Sequence, residues 1–188
     1  MPEATHDELI VAMKDAAAVL QREKIPFLLG GGLAAWARGG PKTEHDVDFM
    51  LKRDDAEKAL AAFDRAGYPT ERPPEGWLYK AWVDDVLVDL IFDPAAGAID
   101  DDTIDRAEVL EVVALRIPVV PLEDVMTQKL LALTEQAPDY SSVLEIARAL
   151  REQIDWGEVR ARTEHSPFAK AFFTLAEELG VVEREPTA

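Results

Sequence analysis

The sequence predicts an α/β fold of the α+β kind, a small mixed twisted sheet flanked by helices and followed by a C-terminal helical segment. Three observations predict it. Short apolar runs bounded by glycine and proline alternate with helical patterns as far as Val120. The apolar spacing then turns helical from Pro121 onward. No internal repeat or low-complexity segment interrupts either part, so residues 1–120 are expected to form a core and residues 121–188 a helical segment.

Thr5 and Glu8 have capping-box spacing, and Leu9, Ile10, Met13, Ala16, Ala17 and Leu20 recur at helical intervals, which places a first helix from about His6 to Lys24. Pro26 ends it. Phe27-Leu28-Leu29 reads as a short buried strand running straight into Gly30-Gly31-Gly32, and Leu33 to Arg38 as a short helix stopped by Gly39-Gly40-Pro41. After the loop Lys42-Thr43-Glu44-His45, the alternation from Asp46 to Leu51 suits a strand with one polar and one apolar face. Asp54 is a candidate cap for a helix carrying Ala56, Leu60, Ala61 and Phe63 and ending at Gly67. Pro69 to Gly76 reads as loop, and Leu78–Val83 with Val86–Phe92 as a hairpin that turns at Asp84-Asp85. Ile99 to Asp105 reads as loop or a short turn of helix, and Val109–Val113 with Ile117–Val120 as a strand pair or one bent strand. A helix from Pro121 carries Leu122, Val125, Met126, Lys129, Leu130 and Leu133; three more follow at about Tyr140–Gln153, Asp155–Thr163 and Ser166–Leu179.

Composition narrows the classes. Apolar residues make up 48%, enough for a packed core and against disorder. The longest apolar runs are far too short to span a bilayer, so no membrane partner is expected. The stretch from Met1 to Asp7 lacks the basic and apolar regions of an export signal, and a cytoplasmic location is expected. The absence of cysteine excludes disulfides, thiol catalysis and thiolate zinc sites. Against 20 Lys and Arg stand 37 Asp and Glu, a net charge of −17. Such a surface repels phosphate backbones and attracts cationic small molecules or a basic protein, although a local basic patch stays open.

Side chains at i and i+2 of a strand share a face, so Asp46 and Asp48 project together while Val47 and Phe49 turn to the core. Such a pair is either solvated strand surface or a site for Mg²⁺, which prefers a few carboxylate oxygens with phosphate and water. The glycine triplet just upstream is either a tight turn or a place where backbone approaches phosphate ahead of a helix N-terminus. A third carboxylate, Asp89, interrupts the apolar run Val86 to Phe92. It is either a strand-end residue reaching solvent or a charge that needs a metal or partner to neutralise it. Together the three carboxylates can bind metal, and one can also take the proton of an attacking hydroxyl.

Leu29-Gly30-Gly31-Gly32, thirteen residues, then Asp46-Val47-Asp48, with Asp89 on a later strand, resembles the nucleotidyltransferase superfamily that includes DNA polymerase β. Aminoglycoside and lincosamide nucleotidyltransferases and AbiEii-like toxins are the most similar members. The resemblance spans Phe27 to Leu133. It implies an NTP co-substrate held at Gly31 and Gly32 with Lys42 and Thr43, and Mg²⁺ or Mn²⁺ on Asp46, Asp48 and Asp89. Asp89 would be the general base, and Lys129 would face the nucleotide phosphates as the helix lysine of the toxin-like branch does. There are departures. A glycine stands where many members carry serine, Lys42 stands where arginine is common, and Pro138-Asp139-Tyr140 replaces a basic-acidic pair, leaving Asp139 and Glu145 as doubtful additions. His45 either orients a carboxylate or is incidental. Trp36, Trp77, Tyr79 and Trp82 either stack on a base or pack the core.

Two acceptors fit this pattern. The Lys129 helix favours a tRNA end, the substrate of a toxin that pairs with an antitoxin protein, and this requires Lys42, Lys52, Arg53, Lys80 and Lys129 to form a patch. The net charge favours a small cationic molecule such as an antibiotic. A member that only binds a nucleotide or a partner is the remaining reading.

Overall fold

The computed structural model describes residues 4–184. Met1 to Glu3, part of the stretch read for an export signal, and residues 185–188, the end of the helical segment, lie outside it. Thr5 caps α1 (His6–Arg22): its hydroxyl accepts the Glu8 N–H while the Glu8 carboxylate accepts the Thr5 N–H, the reciprocal pair that the spacing predicts. The chain continues through β1 (Leu28–Leu29), α2 (Gly31–Trp36), β2 (Val47–Met50), α3 (Arg53–Arg65), β3 (Thr70–Glu71), β4 (Leu78–Val83) and β5 (Val86–Ile91). Then come α4 (Asp101–Asp105), β6 (Glu108–Val112), β7 (Leu115–Val119), α5 (Leu122–Leu131), α6 (Ser141–Leu150), α7 (Trp156–Thr163) and α8 (Pro167–Glu178). Among the described residues no helix is long and apolar enough to cross a membrane.

The strands form one mixed sheet in the order β3-β4-β5-β2-β1-β7-β6. β2 runs parallel to β5 and β1 parallel to β7, while the remaining neighbours are antiparallel. The α1 and α3 helices pack on β4 and β5, and the apolar faces of the strands close a core with them. Val47 and Phe49 are fully buried there, and Phe49 meets Phe27 edge to face at 4.9 Å. Alternation sends Asp48 and Asp89 to the opposite face. A second core joins Leu122, Met126 and Leu130 of α5 to α6, α7 and α8, and it takes in Ala35 of α2, whereas Val125 of α5 belongs to the first. The helix that follows Pro121 therefore touches both cores.

Three local expectations are corrected, and one alternative is resolved. The glycine triplet is not a turn ahead of a helix: Gly30 is the N-cap of α2 and Gly31 and Gly32 are its first residues. Gly30 N–H still donates to the Asp48 carbonyl at 2.9 Å, so the strand pairing runs to the last possible residue and the chain must turn at once. Asp54 does not cap α3, because Lys52 holds that position and Asp54 lies in the first turn, where a negative charge faces the positive helix end. The Pro69 to Gly76 loop contains β3, a strand of two residues paired with β4. The strand pair read as Val109–Val113 and Ile117–Val120 is the hairpin β6–β7, whose turn places Val113 and Ala114 at φ of 50° and 62°. A β-branched residue is disfavoured there, which is why the turn is not legible as one.

Candidate active site

The strand register builds the site. Parallel pairing of β2 with β5 sets Asp48 directly beside Asp89, and antiparallel pairing of β5 with β4 sets Lys80 on the other side of Asp89. Asp46 stands two residues before Asp48 on the same face, just ahead of β2. The three carboxylates each offer an oxygen within 4.8 Å of the others. Three negative groups this close repel one another, and the electrostatics record it. Burial, with the Asp46 charge next, pushes the Asp48 carboxyl up to about 8 against the pull of Lys129. Burial and Asp46 likewise raise Asp89 to about 6, and Lys80 opposes them. One oxygen of Asp89, Oδ1, is buried with no hydrogen-bond partner.

Glycine is required beside this cluster. Gly31 has φ of +55°, and a Cβ there would stand 1.6 Å from Asp48 Oδ2. Only a residue without a side chain lets the α2 N-terminus meet the carboxylate. A Cβ on Gly32 would lie 2.7 Å from Thr43 Oγ1, so Thr43 closes over the same turn. No side chain caps the first N–H groups of α2, since Gly30 has none to offer. The loop bearing Lys42 and Thr43 is anchored by His6, whose Nδ1 lies 3.1 Å from the Thr43 carbonyl and whose ring meets Trp36 edge to face at 4.6 Å. His6 escaped the sequence reading, because its neighbours mark it only as the start of a helix.

Lys129 comes to the site from α5 and lowers the Asp48 pKa by its charge. Together with Gly31 and Asp48 it lines a cleft of about 510 Å³. Met50, Ile91, Trp77, Val125, Gln128 and Ala132 extend that cleft as mostly apolar walls, and the sequence marked only Trp77 among them as a ligand contact. Lys42 and His45 are exposed on the α2–β2 loop. Asp139 and Glu145 do not line the cleft: the Asp139 carboxylate accepts the Ser141 N–H at 2.8 Å at the start of α6, and Glu145 is exposed on that helix. Two of the basic residues are engaged by carboxylates. Lys52 is in an ion pair with Asp101, and Arg53 pairs with Asp93 at 2.6 Å and stacks over Phe92.

The residues fit a divalent cation by their own chemistry. Three hard carboxylate donors converge, one buried oxygen has no partner, and two carboxyls are raised by mutual proximity and burial. A cation among them would relieve all three strains.

A family model described as aminoglycoside-2''-adenylyltransferase matches residues 12–102. No curated protein matches the chain by sequence. Among solved structures, the solution structure of the antibiotic-resistance factor ANT(2'')-Ia is 14% identical, with a TM-score of 0.68 over 94% of this chain and 99% of that one. The crystal structure of ANT(2'')-Ia in complex with adenylyl-2''-tobramycin gives 0.65 at 14% identity over 87% and 98%. The lincosamide adenylyltransferase LnuA, bound to lincomycin, gives 0.56 at 13% identity over 81% and 99%. Identities this low compare folds.

Proposed function

We propose that this chain is a nucleotidyltransferase that transfers a nucleoside monophosphate from an NTP to a hydroxyl of a small cationic acceptor in the cytoplasm. The observation that carries the reading is the meeting of Asp46, Asp48 and Asp89 against a helix start that only glycine can form.

Asp46, Asp48 and Asp89 would hold the divalent metal, Mg²⁺ or Mn²⁺. When bound it supplies charge neutralisation between carboxylates and phosphate and polarises the phosphoryl oxygens. Gly31 and Gly32 let backbone N–H groups approach the β and γ phosphates, with the Thr43 hydroxyl and Lys42 at the same turn. Lys129 places a positive charge on the same cleft wall as Asp48, where the α-phosphate is held. The acceptor oxygen attacks the α-phosphorus in line, a new P–O bond forms, and the bond to pyrophosphate breaks. Asp89 takes the hydroxyl proton as general base.

A small cation suits the acceptor better than RNA. The net charge of −17 attracts cations, and an RNA path would have to release Lys52 and Arg53 from their ion pairs with Asp101 and Asp93. The family model and the two antibiotic adenylyltransferase folds lend support to the same reading. The experiment is incubation with each α-labelled NTP, Mg²⁺, and either a panel of aminoglycosides and lincosamides or total RNA. Label is expected on a cationic small molecule. Label on tRNA ends would replace this acceptor with RNA and bring the antitoxin partner back, and label on neither, with tight NTP binding, would leave a binding protein.

A further inference from the structure

Resting on the nucleotidyltransferase reading, we infer that the apolar cleft beside Asp48 is the nucleobase pocket, with Trp77 as the stacking platform and Gln128 as the group that reads the base edge. Gly31, Asp48, Lys129 and Asp93 give the cleft its polar wall, and Met50, Ile91, Val125 and Ala132 give it apolar wall. Gly31 and Asp48 belong to the carboxylate cluster, so the phosphates are assigned to their side. Asp46 and Asp89 are not on its wall, so the carboxylate that would deprotonate an acceptor faces another side of the cluster. A molecule with a charged head at Lys129 and a flat apolar body therefore fits the cleft, and a nucleotide is that molecule.

The four aromatic residues that could stack on a base separate clearly in the structure. Trp36 packs on His6, and the Tyr79 hydroxyl donates to Glu57 at 2.7 Å while its ring lies against Phe92. Trp82 is half-buried on β4, outside the cleft. Trp77 alone of the four lines the cleft, and it is 39% exposed. Its main chain is fixed, since its carbonyl accepts the N–H groups of both Phe92 and Asp93 at 3.1 Å. The ring is thus an exposed flat surface on a pinned backbone, a good base platform at small entropic cost. Gln128 is the uncharged polar side chain that reaches the cleft from α5, where its amide lies 3.3 Å from the Met50 sulfur. A carboxamide presents a donor and an acceptor side by side, the pattern that pairs with the N6 and N7 edge of adenine.

The test is calorimetric titration of the full chain in Mg²⁺ with ATP, with GTP and, separately, with inorganic tripolyphosphate, for wild type, Trp77→Ala, Trp77→Phe and Gln128→Leu. Trp77→Ala should weaken ATP about tenfold, the scale of one base stacked on an aromatic ring, while tripolyphosphate binds as before and Trp77→Phe restores most of the loss. Gln128→Leu should narrow the preference for ATP over GTP. ATP binding unchanged in Trp77→Ala would overturn the base pocket and leave the nucleotidyltransferase reading standing. Equal loss of ATP and tripolyphosphate, or a loss felt only in the acceptor KM, would overturn it too. Wild-type protein that binds neither ligand would overturn both.

Discussion

The acids held inside this protein live in opposite circumstances. Asp124 on α5 is 2% exposed, and two arginines answer its charge: Arg162 of α7 at 2.6 Å and Arg106, just after α4, at 3.2 Å. Asp48 and Asp89 sit among other carboxylates, with Lys129 and Lys80 acting on them only through their charge, and Asp89 keeps a buried oxygen without a partner. The first arrangement ties three helical segments together. The second is costly to the folded protein, and local cost of this kind collects at functional sites.

That contrast is open to direct attack, and the largest effect is on catalysis. Asp46→Asn and Asp48→Asn should abolish transfer, and Asp89→Asn should lower kcat by about 10² to 10⁴, the worth of a general base. In all three the Tm should hold or rise, because one of several clustered charges is gone. Asp124→Asn should do the reverse, costing about 2 kcal/mol by weakening charged hydrogen bonds to Arg162 and Arg106, both of which keep partial access to solvent, while the folded fraction keeps its kcat. Activity and melting curves on the same preparations check both halves. Near-normal transfer by folded Asp48→Asn would remove the site assignment.

Gly31→Ala is next in size. A Cβ cannot share space with Asp48 Oδ2 at 1.6 Å, and φ of +55° disfavours alanine by roughly 1–2 kcal/mol even without the clash. Loss of transfer together with a lowered Tm is expected, measured beside Gly39→Ala, where nothing lies within 4 Å and only the backbone penalty remains. Equal effects of the two substitutions would mean that close approach of α2 to Asp48 does not matter.

A smaller effect is the pH dependence of the metal-free protein. Asp48 and Asp89 ionise at about 8 and about 6 when folded and near 3.8 as ordinary carboxyls. Between those limits the folded chain binds more protons than the unfolded one, so stability falls as pH rises through this window. The carboxyls held low, such as Glu8 and Asp139, act oppositely but below their usual range. Melting in EDTA from pH 5 to 8 should therefore show a falling Tm, with a flatter profile for Asp48→Asn. A rising profile in wild type would contradict the crowding of the cluster.

How much of this was legible in the sequence depends on distance along the chain. Asp46 and Asp48 could be placed on one face by strand alternation, and Asp89 stood out as a charge in an apolar run. Both signals are local. The register that sets Asp48 beside Asp89 is not, because β2 and β5 pair across about forty residues of intervening chain. Gly31 is needed for a contact with Asp48, a residue seventeen positions on, and no local pattern encodes such a contact. The cleft was invisible for the same reason. Met50 and Ile91 read as ordinary strand residues and Gln128 as an ordinary helix residue, and only the packing of α5 over the sheet face brings them to Trp77.

The central claim is that the carboxylate cluster and the nucleotide site are one site, joined by a cation, and thermal unfolding with ATP tests it most directly. With Mg²⁺ present and ATP at about one hundred times its Kd, the folded state should gain about 2.7 kcal/mol. With EDTA in place of Mg²⁺ the gain should vanish, because triphosphate beside three carboxylates is repelled. An equally large stabilisation in EDTA would show that ATP binds away from Asp46, Asp48 and Asp89, and the account would fall.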